Sequence, residues 1–352
     1  MKLDVWPYRL PLAVPYRWSH GVQTERAGLI VRAQIGGAQG LGEVAPPPDA
    51  PVDEAALAAE LAAVLAGAFL SDFDGLAAVE AAFAHHPWRA RLRCGVASAL
   101  LSARAAEAGV SLVGWLGRPV HTRVAVNDLI TEADPAACAA RAREALSRGQ
   151  ATIKLKCTAD RALDLARVAA VRAVDGALIL RLDPNESWAP DWVLGHLEAL
   201  APYGIEYVEQ PLPLAASLKD YEELRRQSPI PIALDHAVDG LEAAQAIVDA
   251  EAADVLILKP QRLGGPDRLL EVADFATKNG LRCTVTNSLE TAVGLHVALH
   301  CAALLPASAA GLGTARYLAR DVAPPPPIVA GGMEVPTGPG LGVALTAARG
   351  QG

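Results

Sequence analysis

The sequence predicts an α/β protein: a (β/α)7–8 TIM-type barrel with an N-terminal α+β domain that the C-terminal segment completes. Three observations carry that expectation. From about residue 122, short apolar runs alternate with longer helix-like stretches, the pattern of parallel strands joined by crossover helices. The runs also end on chemistry. Residues 151–156 close on Lys154 and Lys156, 178–183 on Asp183, 205–209 on Glu209, 232–235 on Asp235, 255–259 on Lys259, and 283–288 on Asn-Ser. The tips are evenly spaced: 27 residues from Lys156 to Asp183, 26 to Glu209, 26 to Asp235 and 24 to Lys259. An eight-unit barrel of roughly 250 residues spends about 30 on each unit, so these tips would line one rim.

Residues 3–14 and 27–35 read as strands, with a polar and aromatic loop near 16–26 between them that carries Arg17 and His20. The glycine-rich stretch 36–46 reads as a hairpin turn into a third strand. Alanine-rich 53–67 and 74–86 are helix-like, as is 93–109 with its Val96, Leu100 and Leu101 face. Together these make an expected α+β domain over 1–118. The barrel, expected over 119–320, opens with a strand at 124–130, where Asn127 stands 27 residues before Lys154. Helices are expected at 134–148, 159–173, 190–200, 216–226, 239–250, 266–279 and 292–304. Asp134-Pro135 suits an N-cap followed by proline at N1, and Gly280 suits a helix stop. Six or seven units are clear; the last strand, near 310–314, is weakly marked. The proline run 324–327 and the glycine-rich 331–343 make 321–352 a terminal strand and turn returning to the N-terminal domain.

The 352 residues contain no apolar run near the roughly 20 residues of a membrane span. A net charge of −8 without a basic stripe excludes nucleic acid as a partner. The first residues mix charge and proline too early for a secretory leader, so a cytoplasmic location is expected. Five scattered cysteines without CxxC spacing read as reduced thiols. A small-molecule substrate is the expected partner, and a homo-oligomer is left open.

Asp183, Glu209 and Asp235 are hard oxygen donors suited to Mg2+, with Mn2+ as second candidate. No histidine pair stands at a strand tip, which disfavours a zinc hydrolase. Lys156 and Lys259 flank the acids. Beside a divalent cation and further lysines, the neutral form of such a lysine is favoured and it can serve as a general base. Lys154, two residues from Lys156, shares its strand face. The bland alternative is that strand-end lysines reach for solvent. Asn185 either joins the metal shell or holds its turn. Ser288 and Glu290 either hold a substrate carboxylate or cap the next helix. His236 beside Asp235 has no assigned role. His296 and His300 lack the acid of a metalloprotease motif and are expected in the core or on the surface.

Lys154-Leu-Lys156, Asp183-Pro-Asn185, Glu209-Gln-Pro211, Asp235 and Lys259-Pro260, in this order and spacing, resemble the enolase superfamily over essentially the whole chain. Gly40-Leu-Gly-Glu43 is similar to the third strand of that family's capping domain, and 338–343 to its C-terminal segment. The lysine pair and the opposing lysine are those of the muconate-cycloisomerase-like subgroup; no histidine base follows the strand at 283–287, as a mandelate-racemase-like member would require. Within the subgroup, Val126-Asn127 and residues 286–295 resemble the o-succinylbenzoate synthases of menaquinone biosynthesis. That resemblance implies a Mg2+-dependent lyase acting on a small carboxylate. In it Lys156 is base and then acid, Lys259 stabilises an enediolate, Lys154 assists, and Asp183, Glu209 and Asp235 hold the metal. It further implies substrate contacts from Asn185, Ser288, Glu290, Arg17 and His20, with the 16–26 loop closing over the site. His236 departs from the acidic residue common after the third metal acid. The same residues would serve an N-acylamino acid racemase, a cycloisomerase or a dipeptide epimerase, although Gly311-Leu-Gly-Thr314 lacks the Asp-x-Asp frequent in the last. A non-catalytic scaffold is disfavoured, because no acid or lysine of the set is missing.

Overall fold

The computed structural model describes residues 1–18, 21–47, 52–67 and 72–346. Three antiparallel strands, β1 (Lys2–Trp18), β2 (Gly21–Ile35) and β3 (Ala38–Val44), form an N-terminal sheet in that order. The stretch expected as a loop near 16–26 is mostly strand: Tyr16, Arg17 and Trp18 pair with Gln23, Val22 and Gly21 beyond a register shift after Pro11. Tyrosine, tryptophan and valine favour the extended pleat, and the ladder outweighs the polar residues among them. His20 lies outside the described residues.

Helices α1 (Glu54–Gly67), α2 (Asp72–Ala82) and α3 (Arg89–Glu107) accompany this sheet. Leu29, Val31, Leu61, Phe83, Leu92 and Leu100 fill the space between them. The close approach of β3 to α3 depends on two glycines. A Cβ at Gly42 would stand 1.9 Å from the Gly95 carbonyl oxygen, and one at Gly40 2.1 Å from the Ala103 nitrogen.

After the short α4 (Leu112–Leu116), β4 (Arg123–Ala125) pairs antiparallel with the terminal strand at Gly332–Glu334 and stays out of the barrel sheet. The single strand expected at 124–130 is therefore two, because its first half is claimed by the C-terminal segment. The barrel follows as β5 (Asp128–Ile130), α5 (Pro135–Ser147), β6 (Thr152–Lys156), α6 (Arg161–Arg172), β7 (Ile179–Asp183) and α7 (Val193–Leu200). It continues as β8 (Ile205–Glu209), α8 (Leu218–Gln227), β9 (Ile232–Leu234), α9 (Leu241–Asp249) and β10 (Val255–Leu258). Then come α10 (Pro260–Leu263), α11 (Pro266–Lys278), β11 (Arg282–Val285) and α12 (Ala292–Ala302). Asp134 caps α5 by accepting from Ala137 N, with Pro135 at its start, and Gly280 takes a positive φ after α11, both as expected.

Strands β5 to β11 lie side by side in chain order, all parallel. The ring closes through two residues. Ala310 bridges to Val126 and Gly311 to Thr286, with Ala310 N donating to Ala125 O at 2.8 Å and Gly311 N to Val285 O at 2.9 Å. The eighth stave is thus as slight as its sequence.

Alternation along the strands sorts the residues into two sets. Ile153, Leu155, Leu180, Leu182, Val208 and Ile232 pack outward with the helices. Tyr207, Ala233, Val255 and Ile257 form a separate small core inside. Lys154 pairs with Arg181, Lys156 with Asp183, and Arg181 with Tyr207. By this parity Lys154, Lys156, Asp183, Glu209, Asp235 and Lys259 all fall on the inner set.

The last strand, β12 (Gly332–Glu334), is the partner of β4, and the chain then reaches the N-terminal sheet. Gly340 O accepts from Leu112 N at 2.6 Å, and Leu341 is buried beside Leu10 and Leu41. Among the described residues, no helix is long and apolar enough to cross a membrane.

Candidate active site

Each tip is shaped by the residues just beyond it. Pro184 ends β7, and Asp183 Oδ1 accepts from Asn185 N at 3.1 Å, an Asx-type turn. At the end of β8, Gln210 Oε1 accepts from both Asp235 N and His236 N at 3.1 Å, tying that tip to the next strand. After β10, Pro260 opens α10, and Gln261 joins β3: its Nε2 donates to Glu43 O at 2.7 Å and its Oε1 accepts from Ala45 N at 3.0 Å. Asn185, Glu186, Gln210 and Leu289 hold positive φ angles of 46°, 66°, 46° and 65°. Left-handed backbone at non-glycine residues costs of order 1–3 kcal/mol each and clusters where side chains must be aimed. All four stand in the loops at this rim.

The tips meet in a cavity of about 700 Å³. Asp183 Oδ2 takes Lys154 Nζ at 2.7 Å and Lys156 Nζ at 2.6 Å. Lys154 also reaches Glu209 Oε2 at 2.7 Å, and Lys259 Nζ lies 2.5 Å from Asp235 Oδ2. Lys156 further donates to Asn185 Oδ1. The order is therefore Lys156, Asp183, Lys154, Glu209, with Lys259 on Asp235 at the far end. Lys156 and Lys259 keep side-chain exposures of 17% and 14%, while each of the three acids is nearly wholly buried.

Burial sets the protonation here. It alone would raise the Asp183 carboxyl, but Lys154 and Lys156 outweigh it and hold that group well below the usual range. Asp235 is lowered in the same way by Lys259, Arg262 and His236 against its burial. Glu209 is pushed up to about 7 by burial and by the charges of Asp183 and Asp235. Burial would depress Lys154, yet Asp183 and Glu209 raise its ammonium well above the ordinary value. The lysine paired with two acids is thus held as a cation, adding positive charge beside Lys156.

The residues present fit a divalent cation. Asp235 Oδ1 is buried with no hydrogen-bond partner, and Glu209 carries the mutual repulsion of three crowded carboxylates. Both are relieved by a hard cation on an all-oxygen donor set. Among the described residues no three acidic, histidine or cysteine donors converge as a closed cage, because Lys154 stands between Asp183 and Glu209.

Of the other expected contacts, Asn185 and Ser288 line the cavity. Glu290 does not; it is buried, accepts from Ser288 N at 2.5 Å, and supports the loop from beneath. Arg17 contributes backbone to the β1–β2 hairpin, with its side chain not described. The α12 cap is Thr291, joined by two distant carboxylates. Glu43 accepts from Thr291 N, Thr291 Oγ1 and Gly294 N at 3.1, 2.6 and 2.9 Å, and Asp321 accepts from Ala292 N at 3.0 Å. His300 is core: its Nδ1 accepts from Val113 N and its Nε2 meets Leu341 O, while His296 Nδ1 meets Ala292 O.

Several polar or charged lining residues were not among the expected site residues. Glu186 pairs with His236, giving that histidine a partner at the rim. Asn287 donates to Thr314 Oγ1 at 2.6 Å, and its Oδ1 is buried without a partner. Arg91 and Arg262 come from α3 and α10. Glu186 and Arg262, each three residues past a strand-tip charge, and Asn287 at a tip carried a positional signal; Arg91 carried none.

Burial, with Glu43 nearby, pushes Glu290 up to about 7. An acid whose folded pKa exceeds its unfolded one stabilises the fold only while protonated, so this contribution is lost as pH rises from 4.5 to about 7. Glu290→Gln is therefore expected to flatten stability across that window. Urea midpoints at pH 5, 6, 7 and 8 check it; parallel wild-type and variant curves would refute it.

The family model for enolase C-terminal domain-like proteins matches residues 137–349. The o-succinylbenzoate synthase of Thermobifida fusca (strain YX) is 38% identical over 221 residues, covering 61% of this chain and 66% of that relative, just under two thirds of its length. That of Mycobacterium tuberculosis (strain ATCC 25618 / H37Rv) is 35% identical over 240 residues, 63% of this chain and 70% of the relative. Among solved structures, the muconate lactonizing enzyme of Pseudomonas putida superposes with a TM-score of 0.85 at 24% identity, covering 98% of this chain and 96% of that one. The L-Ala-D/L-Glu epimerase of Bacillus subtilis gives 0.89 at 24% identity over 99% of both chains. At these identities the two structures speak to the fold.

Proposed function

The chain belongs to the enolase C-terminal domain-like family, and on that premise we propose that it is a metal-dependent o-succinylbenzoate synthase. The resemblance drawn from the strand tips and the barrel expected from their spacing are both borne out. The activity is a carbon–oxygen lyase reaction, the loss of water from a 2-succinyl-6-hydroxycyclohexadiene carboxylate. The observation that carries it is one cavity with Lys156 and Lys259 at opposite ends of a buried acid row, in a chain so related to two synthases of that name.

Asp183, Glu209 and Asp235 would hold the cation, with Mg2+ favoured by the oxygen donors and Mn2+ as the substitute. When bound, it supplies Lewis-acid stabilisation of charge developing on the substrate carboxylate. The chain's own groups do the rest. Lys156, in its neutral form, takes the proton from the carbon α to that carboxylate. The resulting ammonium gives the same proton to the hydroxyl leaving the adjacent carbon, so water departs from the face where the proton was taken. No net proton or electron is consumed. Lys259 on the opposite side stabilises the developing negative charge. Lys154, held cationic between Asp183 and Glu209, disfavours a second charge on Lys156. Asn185 positions the Lys156 amine.

Proton NMR in D2O tests the assignment: the cyclohexadiene substrate is expected to dehydrate rapidly with Mg2+ and to stop with EDTA. Absence of dehydration in both samples sinks the reading. The opposed lysines favour one second reading, racemisation of N-acylamino acids by two bases. Deuterium entering the α-carbon of an N-succinyl amino acid would identify it.

A further inference from the structure

The cavity has two electrostatic poles. At one, Lys154, Lys156 and Lys259 are matched by Asp183, Glu209 and Asp235 through direct ion pairs. At the other, Arg91 and Arg262 line the same cavity, and among the described residues neither has a carboxylate partner. Arg91 uses its Nε on Ala45 O at 2.9 Å, and Arg262 uses one Nη on His236 O at 3.2 Å. Arg262 Nε is buried with no acceptor. Both guanidiniums are therefore held by backbone carbonyls, with N–H groups to spare.

Arg262 also acts through space on Asp235, so it is Arg91 whose compensation is thin. A third arginine, Arg26, is committed to Pro46 O and Leu289 O at 2.6 and 3.1 Å. The acid acting on Arg91 is Glu290, itself pushed up to about 7. Burial, with Arg262 and Arg26 nearby, lowers the Arg91 guanidinium to about 10. A planar guanidinium with free N–H groups binds a carboxylate by paired, charge-assisted hydrogen bonds.

We propose that Arg91, from the N-terminal unit, and Arg262, from the barrel, form a second anion subsite that holds the terminal carboxylate of the substrate's succinyl arm. This rests on the synthase reading above, whose substrate carries one carboxylate on the ring and another at the end of that arm. The reacting carboxylate goes to the acid row and the distal one to the arginines, so specificity is a matter of the distance between two charges. Because the subsite is contributed by two separate parts of the chain, a substrate of the right length also bridges them.

The test measures binding of o-succinylbenzoate and of its terminal methyl ester to the full-length protein with Mg2+, by calorimetry, alongside steady-state dehydration. Arg91→Gln is expected to weaken o-succinylbenzoate roughly 10- to 100-fold, the range of a lost charge-assisted pair. The ester, lacking the distal charge, should change less than about 2-fold, KM should rise with kcat held, and Arg91→Lys should recover part of the affinity. Equal losses for acid and ester, or none for either, would overturn the subsite while wild-type dehydration leaves the synthase reading standing. A wild-type protein that does not dehydrate the substrate removes both.

Discussion

Lys156→Ala is expected to lower the dehydration rate by about 10²–10⁴-fold while o-succinylbenzoate still binds. General acid–base groups contribute in that range, and here one amine is asked both to remove and to return the proton. Its position leaves little redundancy. Lys154 lies 2.7 Å from each of two acids and is held as a cation, so it cannot take over as base. Lys259 sits on Asp235 at the other end of the row. Stability should change little, since Asp183 keeps Lys154 as its counter-ion. Rapid-quench rates, ligand calorimetry and circular dichroism on the same preparation decide it. A variant that folds, binds and dehydrates within about 10-fold of wild type would remove Lys156 from the chemistry.

Glu43→Ala should cost about 3–5 kcal/mol of stability, because each buried donor left unsatisfied costs about 1–3 kcal/mol and the site relaxes around them. Glu43 is nearly fully buried and accepts from Tyr8 Oη at 2.5 Å as well as from Thr291 and Gly294. Truncation orphans the tyrosine hydroxyl, the Thr291 hydroxyl and the backbone N–H groups of Thr291 and Gly294 together. A second variant separates lost hydrogen bonds from a simple cavity. A Cβ at Gly294 would meet Glu43 Oε2 at 2.9 Å and Glu290 Cβ at 2.7 Å, so Gly294→Ala should destabilise through the same contact without removing the acid. Denaturant titration reads both; a Glu43→Ala loss under about 1 kcal/mol would show that the interface does not depend on this group.

Much of the barrel and of its rim could be read from the chain, for a definite reason. Inner-facing strand residues repeat every second position, so an apolar run ending on a charge fixes which side that charge faces, and regular spacing places successive charges side by side. Asp183, Glu209, Asp235 and the three lysines follow from local pattern alone. What escaped was set by partners distant in sequence. Residues 124–130 split because β12, some 200 residues later, claims the first half. The 16–26 stretch became a hairpin through pairing with itself, which its polar residues concealed. Arg91 sits in a helix whose pattern speaks only of packing, and Glu290 carries the charge of a site residue but turns into the protein. Which acids each amine touches, Lys154 on both Asp183 and Glu209 above all, is likewise not carried by any local pattern.

The cap on α12 also has a consequence for synthesis. The helix takes one carboxylate from Glu43, 248 residues before Thr291, and another from Asp321 beyond its own end. The N-terminal sheet therefore emerges from the ribosome long before the α12 donors that satisfy its buried carboxylate exist. At about 5–20 residues per second, that interval lasts on the order of 10–50 s. Throughout it Glu43, on the surface destined for the barrel, has only Tyr8 of its eventual hydrogen-bond donors. A nascent chain stalled before residue 291 should consequently be open to protease across β3, and one released after residue 321 should not.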